Sequence, residues 1–247
     1  IEIGTTVENR KLLLCKLTSN NNLNSKSRVL LTSSMHGDET TGYVLMLRLI
    51  DYLLTNYNTD NRIKNILDNT EVWICPLANP DGTFAGGNNS VWGSTRYNGN
   101  NKDLNRNYKD DVFGDHPDNN SWQPETIAFM NLVTENVFTI GVNIHGGTEV
   151  CNYLWDNKST DFVDKQWWID VCREYADTCH VYNSNYMTYL NNGVTNGYDW
   201  YQITGSRQDF AQAFGNYREF TLEISKTKTL NASQLPSHWS WNYRSFL

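Results

Sequence analysis

Short apolar runs alternate along this chain with longer segments of helical periodicity, and that alternation most limits what it can fold into. Arg28–Ser33, Val72–Pro76, Phe138–Ile144 and Glu219–Ile224 have the length and composition of buried strands. After the first of them, Tyr43, Met46, Leu47, Ile50, Leu53, Leu54 and Tyr57 recur at helical spacing. Gln123–Val137 opens with Pro124 and Glu125, residues that suit a helix start, and residues 162–179 carry Trp168, Val171, Cys172, Tyr175 and Cys179 along one stripe. Strands alternating with such helices predict a single α/β domain: a central mixed, mostly parallel twisted sheet flanked by helices on both faces. Ligands of such sheets collect at the carboxyl ends of the strands. His36, Asn79, His145 and Glu223 all fall at or just beyond those ends. Asn-rich patches at Asn20–Asn24 and Asn88–Asn107 read as loops, because Asn and Gly supply turn chemistry.

The chain is long enough, at 247 residues, to bury one large core, and neither a repeat nor a linker divides it. A formal charge of −7 supplies no basic footprint for nucleic acid and weakly favours a cationic substrate. No apolar run approaches the roughly 20 residues of a membrane-spanning helix. Five scattered cysteines, without a C-x-x-C, do not indicate a disulfide framework, and Cys172 with Cys179 reads as two positions on one helix.

Three features carry chemistry. His36-x-x-Glu39 sits where the first strand turns into the first helix, and the i, i+3 spacing lets both side chains point the same way. Imidazole and carboxylate are competent zinc ligands, and a third ligand from elsewhere would leave a position open for water. Alone, the motif is weak, and the simpler reading is a surface pair with Glu39 at a helix N-terminus. His145 leaves a buried strand into Gly146-Gly147, and Glu223 interrupts an apolar strand. Burying such a carboxylate is costly unless it is paired or lines a polar cleft, so Glu223 is either a proton-transfer group beside a site or a solvent-facing residue on an edge strand. Asp103-Leu104-Asn105-Arg106-Asn107, preceded by Arg96, brings two guanidinium groups together. They could clasp a carboxylate and steady an oxyanion, or simply pair with Asp103 and Asp110 on a charged loop. His116, His180 and His238 lack partner spacing and read as structural.

In this order, His36-Gly37-Asp38-Glu39, Asn79-Pro80-Asp81-Gly82, Asp103-Leu104-Asn105-Arg106-Asn107, His145-Gly146-Gly147 and Thr221-Leu222-Glu223 resemble the zinc carboxypeptidases of the M14 family. The closer likeness is to its carboxypeptidase N/E (regulatory) branch, and it runs from Ile3-Gly4 through Trp239. The resemblance implies one zinc ion on His36, Glu39 and His145, with Glu223 as general acid/base and Arg96 polarising the scissile carbonyl. It implies Asn105 and Arg106 at the substrate carboxylate, with Tyr201 closing over it. Asp156 and Gln208 match the pocket of members that prefer C-terminal Lys or Arg. The expected activity is removal of single residues from peptide C-termini by a monomer, in a secreted or periplasmic setting. Residues 1–247 would form the catalytic domain, with no second domain in this chain.

Two departures qualify that expectation. Ser206 and Arg207 stand where the branch usually has Gly-Met, and a cation at Arg207 beside the pocket would weaken selection for basic residues. A zinc amidase or carboxypeptidase acting on peptidoglycan stem peptides, and a catalytically silent binding protein on the same scaffold, are the competing expectations.

Overall fold

The computed structural model describes residues 1–20 and 26–247; most of the expected loop at Asn20–Asn24 thus lies outside the described residues. The chain begins with β1 (Glu2–Thr5), β2 (Lys11–Leu13), β3 (Cys15–Leu17) and β4 (Ser27–Ser33), followed by α1 (Thr41–Asn56), α2 (Asn61–Asn69) and β5 (Thr70–Cys75). A one-turn α3 (Pro80–Thr83) and a long loop lead to α4 (Pro124–Glu135), β6 (Ile140–His145) and β7 (Glu149–Tyr153). Then come α5 (Lys165–Tyr182), the turn α6 (Tyr189–Gly193), β8 (Val194–Asn196), α7 (Gly197–Trp200), α8 (Arg207–Ala213), β9 (Arg218–Ile224) and α9 (Leu235–Asn242).

Seven strands form one sheet in the order β3-β5-β4-β6-β9-β7-β8, and β1 pairs with β2 apart from it. The pairs β5/β4, β4/β6, β6/β9 and β7/β8 are parallel, whereas β3/β5 and β9/β7 are antiparallel. This is the mixed, mostly parallel sheet that the alternation of elements predicts.

Side chains two apart share a face, and β4 and β5 each feed two cores. Leu31, Val72, Ile74, Val142 and Ile144 join Phe220, Leu222 and Ile224 under α1, α2, α5 and α9, with Leu45, Leu49, Leu53, Trp168 and Cys172. Leu30, Trp73 and Cys75 face the other way, toward Phe129 and Val133 of α4 and Phe210 of α8. Helices therefore cover both faces. Local signals fix their starts: Pro124 is at the first turn of α4, Asp60 accepts from Arg62 N and Ile63 N to cap α2, and Ser206 accepts from Asp209 N to cap α8. All five cysteines are free thiols.

Candidate metal centre and substrate cleft

β4 ends at Ser33, and the chain then passes through Met35-His36-Gly37 toward α1. Gly37 is required there: a Cβ would stand 2.3 Å from the carbonyl carbon of Gly82 and 2.4 Å from Thr83 N. Asn79 ties the same turn from the β5 side. Its Nδ2 donates to Met35 O at 3.1 Å and its Oδ1 accepts from Gly82 N at 2.9 Å. The Asn79-Pro80-Asp81-Gly82 motif thus acts through backbone, holding His36 in place rather than contributing a reactive group.

His36, Glu39 and His145 converge, with one potential ligand atom from each lying within 4.8 Å of the others. His36 Nδ1 is 3.0 Å from Glu39 Oε1, His145 Nδ1 is 2.8 Å from Glu39 Oε2, and the two Nδ1 atoms are 3.1 Å apart. Ligands about 2.0–2.1 Å from a tetrahedral zinc stand about 3.3 Å from one another, so small outward shifts admit the ion. Two ring nitrogens and a carboxylate, all buried and aimed at one point, form a donor set that a zinc ion satisfies.

The surroundings fix these ligands. Asp103 Oδ1 lies 3.1 Å from His36 Nε2 and its Oδ2 accepts from Arg96 Nε at 2.9 Å, so one carboxylate orients both a ligand and a cation. Gly146 N donates to Glu39 Oε2 at 3.2 Å, and Lys228 reaches both Asp38 and Glu39, at 3.0 and 3.6 Å. Burial opposes the charge on Glu39, but the two imidazoles outweigh it and hold the carboxyl well below the usual range. Burial likewise opposes charge on His36, yet Glu39 and Asp103 raise its pKa; for His145 burial wins and lowers it.

Glu223 faces this cluster from the neighbouring strand, since His145 of β6 and Glu223 of β9 are direct register partners. β9 is interior, flanked by β6 and β7, so the edge-strand reading of Glu223 is excluded. The polar face it shares with Thr221 opens on a cleft. Its Oε2 is enclosed without a hydrogen-bond partner, and burial, then the Glu39 carboxylate, pushes its pKa up to about 8.

The cleft is lined by His36, His145, Glu223, Arg96, Asn105, Asp156 and Tyr201, with Asn152, Trp200, Ile203 and Thr221 completing it. Arg106 stands at its rim: Nη1 donates to Asn105 O at 2.8 Å, and its charge reaches Asp103, Asp156 and Tyr201. Tyr201 is 49% exposed at the mouth, edge-on to Trp200. Asp156 lies just beyond β7 and is buried; its Oδ1 accepts from Gln208 Nε2 at 2.8 Å and Asn152 Nδ2 at 3.1 Å. Gln208 sits behind Asp156 rather than on the surface, and its Oε1 accepts from Thr221 N. Gly197 backs this floor, where a Cβ would meet Asp156 Oδ1 at 1.9 Å.

Arg207 is the one correction. It does not border the pocket: it is 1% exposed, packs over Phe129 and pairs through Nη2 with Glu219 Oε2 at 2.9 Å on the far side of α8. Its charge is neutralised within the second core, so the weakening of basic selectivity expected from it has no structural basis. Sequence reasoning also missed Lys228, Asn152 and the bridging role of Asp103. The last stood inside a noted motif, but only the chain path shows that it meets His36 67 positions away. His116, His180 and His238 lie outside the cleft, in contact with Trp122, Met187 O and Gln234 O.

A seven-stranded mixed sheet with a His-Glu-His centre at the strand ends defines a metallohydrolase scaffold, and the comparisons with known proteins say which. The family profile described as Zinc carboxypeptidase matches residues 1–245, and the chain belongs to that family. It is 33% identical to carboxypeptidase D of Drosophila melanogaster over 269 residues, 99% of this chain and 19% of that protein. It is 36% identical to carboxypeptidase M of Mus musculus over 230 residues, 87% of this chain and 51% of that protein. These relatives put it in the regulatory branch, and it spans a fifth to a half of their length. Thrombin activatable fibrinolysis inhibitor superposes with a TM-score of 0.85 at 18% identity, covering 100% of this chain and 66% of that one, which establishes the shared fold.

Proposed function

We propose that this chain hydrolyses the last peptide bond of peptides and proteins, with His36, Glu39 and His145 holding one zinc ion and Glu223 moving the proton. The observation that carries the proposal is the unpartnered Glu223 Oε2, enclosed and set one strand away from the three ligands. The ion supplies Lewis acidity toward a water molecule and toward the scissile carbonyl. Glu223, one strand from the ligands with Oε2 unpartnered, is placed to accept a proton from the attacking water and return it to the leaving amine. Arg96, held by Asp103 at 2.9 Å and 27% exposed at the cleft, offers its remaining donors to the developing oxyanion. Asn105 and Arg106 take the terminal carboxylate, and Tyr201 covers it from the mouth. These contacts require a free C-terminus and so favour an exopeptidase.

Asp156 supports a preference for C-terminal Lys or Arg, because a carboxylate at the floor of a small polar pocket attracts a cation. No helix among the described residues is long and apolar enough to cross a membrane.

The test is release of the last residue from three peptides that differ only in ending with Arg, Leu or Glu, with and without a chelator, for the native chain and Glu223→Gln. Fast, chelator-sensitive release of Arg, with Glu223→Gln slowed about 10²–10⁴-fold while keeping its zinc, is expected. Release of Leu or Glu instead would discard the basic preference. No release from zinc-loaded protein would favour the amidase or the silent binding protein.

A further inference from the structure

The start of β7 buries a carboxylate that the cleft does not use. Glu149 is 6% exposed, on a strand flanked by β9 and β8. Its register partner is Ile224 of the core under α5 and α9, whereas the next pair, Val150 and Glu223, brings Glu223 to the cleft. Glu149 therefore faces the opposite side of the sheet from Glu223, one residue along the strand.

On that side Glu149 lines a pocket with Tyr186, His238 and Trp241, and exposed Lys226 and Thr227 stand at its rim. The ring centroids lie 4.8, 5.1 and 5.7 Å from one another. The Tyr186 hydroxyl is spent on Ile224 O and Asn242 Oδ1, at 2.8 and 3.0 Å, so its ring is what the pocket meets. His238 Nδ1 lies 3.2 Å from Gln234 O, which can only accept, so Nδ1 carries the proton and Nε2 is an acceptor. Burial raises the Glu149 pKa against the Lys226 ammonium and the Met187 and Lys226 backbone N–H groups. Among the described residues its ion-pair partner is Lys226, whose Nζ stands 3.8 Å from Oε2, beyond hydrogen-bond reach, on a side chain 73% exposed. This loose, solvated lysine shows that an ammonium can approach the carboxylate from outside. A carboxylate among neutral rings attracts an organic cation through charge and through the ring faces.

The pocket and the metal centre share one loop. Lys226, Thr227 and Leu230 line the pocket, and between them Lys228 pairs with Asp38 at 3.0 Å and lies 3.6 Å from Glu39. Asp156 follows the far end of β7, so it and Glu149 stand at opposite ends of this five-residue strand. A peptide whose last side chain points to Asp156 has its earlier residues at the Glu149 end. Extended chain covers about 3.3 Å per residue, so roughly the third to sixth residues from the C-terminus come within reach.

We propose that this pocket binds the ammonium or guanidinium of a Lys or Arg side chain upstream of the scissile bond, with Glu149 as its anchor and Trp241 as its aromatic wall. The proposal rests on the C-terminal hydrolysis reading above and adds a site outside the cleft.

The experiment uses zinc-loaded protein and short neutral peptides that end alike, with a single Lys moved through the third to sixth positions from the C-terminus. KM and kcat are read for the native chain, Glu149→Gln and Lys226→Ala. Kd is read by fluorescence anisotropy with Glu223→Gln alone and combined with each, and Tm is read for every variant. One Lys position is expected to lower KM about fivefold against the Lys-free peptide. Glu149→Gln should erase that ratio. Lys226→Ala, which removes the chain's own competing ammonium from an exposed position, should enlarge it, and serves if Glu149→Gln fails to fold. No gain at any position, or an equal gain at all positions that survives Glu149→Gln, would overturn the proposal; the latter would assign the gain to the net charge of −7. No turnover of any peptide would overturn the hydrolysis reading instead, and the Kd series then decides the pocket by itself.

Discussion

At the scale of single residues, the centre is organised by groups that stand behind its potential ligands. Asp103 joins His36 to Arg96, so Asp103→Asn should weaken both zinc retention and oxyanion support. A loss of 10–100-fold in metal affinity, roughly, is expected by titration with a competing chelator, and unchanged affinity would remove Asp103 from the ligand shell. Asp156 gives a pH signature. Burial comes first among the causes that raise its pKa to about 6, and Asp209, whose own carboxyl is also pushed up, lies against its backbone while Arg106 opposes the rise. Asp156 is charged above that value and neutral below it, so kcat/KM for a C-terminal Arg relative to Leu should fall as pH drops through about 6. A ratio flat from pH 5 to 8 would mean that Asp156 does not face the leaving residue. The residues that the fold gathers at the cleft were largely legible in the sequence, because His36, Glu39, His145 and Glu223 sit where strands and apolar runs leave no cheap reason for polar groups. Lys228 was not, since a lysine in a loop carries no local sign that it will meet Asp38 and Glu39.

At the scale of elements, α8 is the link between core and pocket. One side of it sends Arg207 to Glu219 in the second core, and the other sends Gln208 to Asp156 and Asp209 to the backbone of Asp156 and Asn157. Arg207→Met would leave Glu219 charged and buried, with only Tyr217 donating to it at 2.6 Å. Loss of one partner of a buried pair typically costs about 3–5 kcal/mol, so a clear drop in Tm is expected by calorimetry. The Arg/Leu preference of the surviving enzyme should be unchanged, and a changed preference would return Arg207 to the pocket. The four strands and three helices read from periodicity are present with ends moved by one to three residues. The missed elements are short or irregular: β8 has three residues, and β7 follows Gly146-Gly147 without a turn long enough to announce a new strand. Their pairing comes from the sheet, not from local propensity.

At the scale of the whole molecule, the order of strands in space departs from their order in the chain. β9 comes last in chain order among the described strands, yet it lies between β6 and β7. Everything on its polar face, from Thr221 to Glu223, reaches the cleft only when it is inserted, and β7 with Asp156 is joined to the parallel core through it. A chain ending at Asn216 should therefore lack peptidase activity, and in limited proteolysis its segment from Glu149 onward should be cut far faster than in the full chain. Protection equal to that of the full chain would show that β6 and β7 can close without β9. Sequence periodicity fixed the class of fold but could not foresee this insertion, since nothing in Glu219–Ile224 itself says which two strands it will separate. The arrangement has a temporal consequence. If Glu223 moves the proton as proposed, a partly made chain that has not yet inserted β9 carries the three potential metal ligands without their proton-transfer partner, and the cleft is completed by one late pairing event.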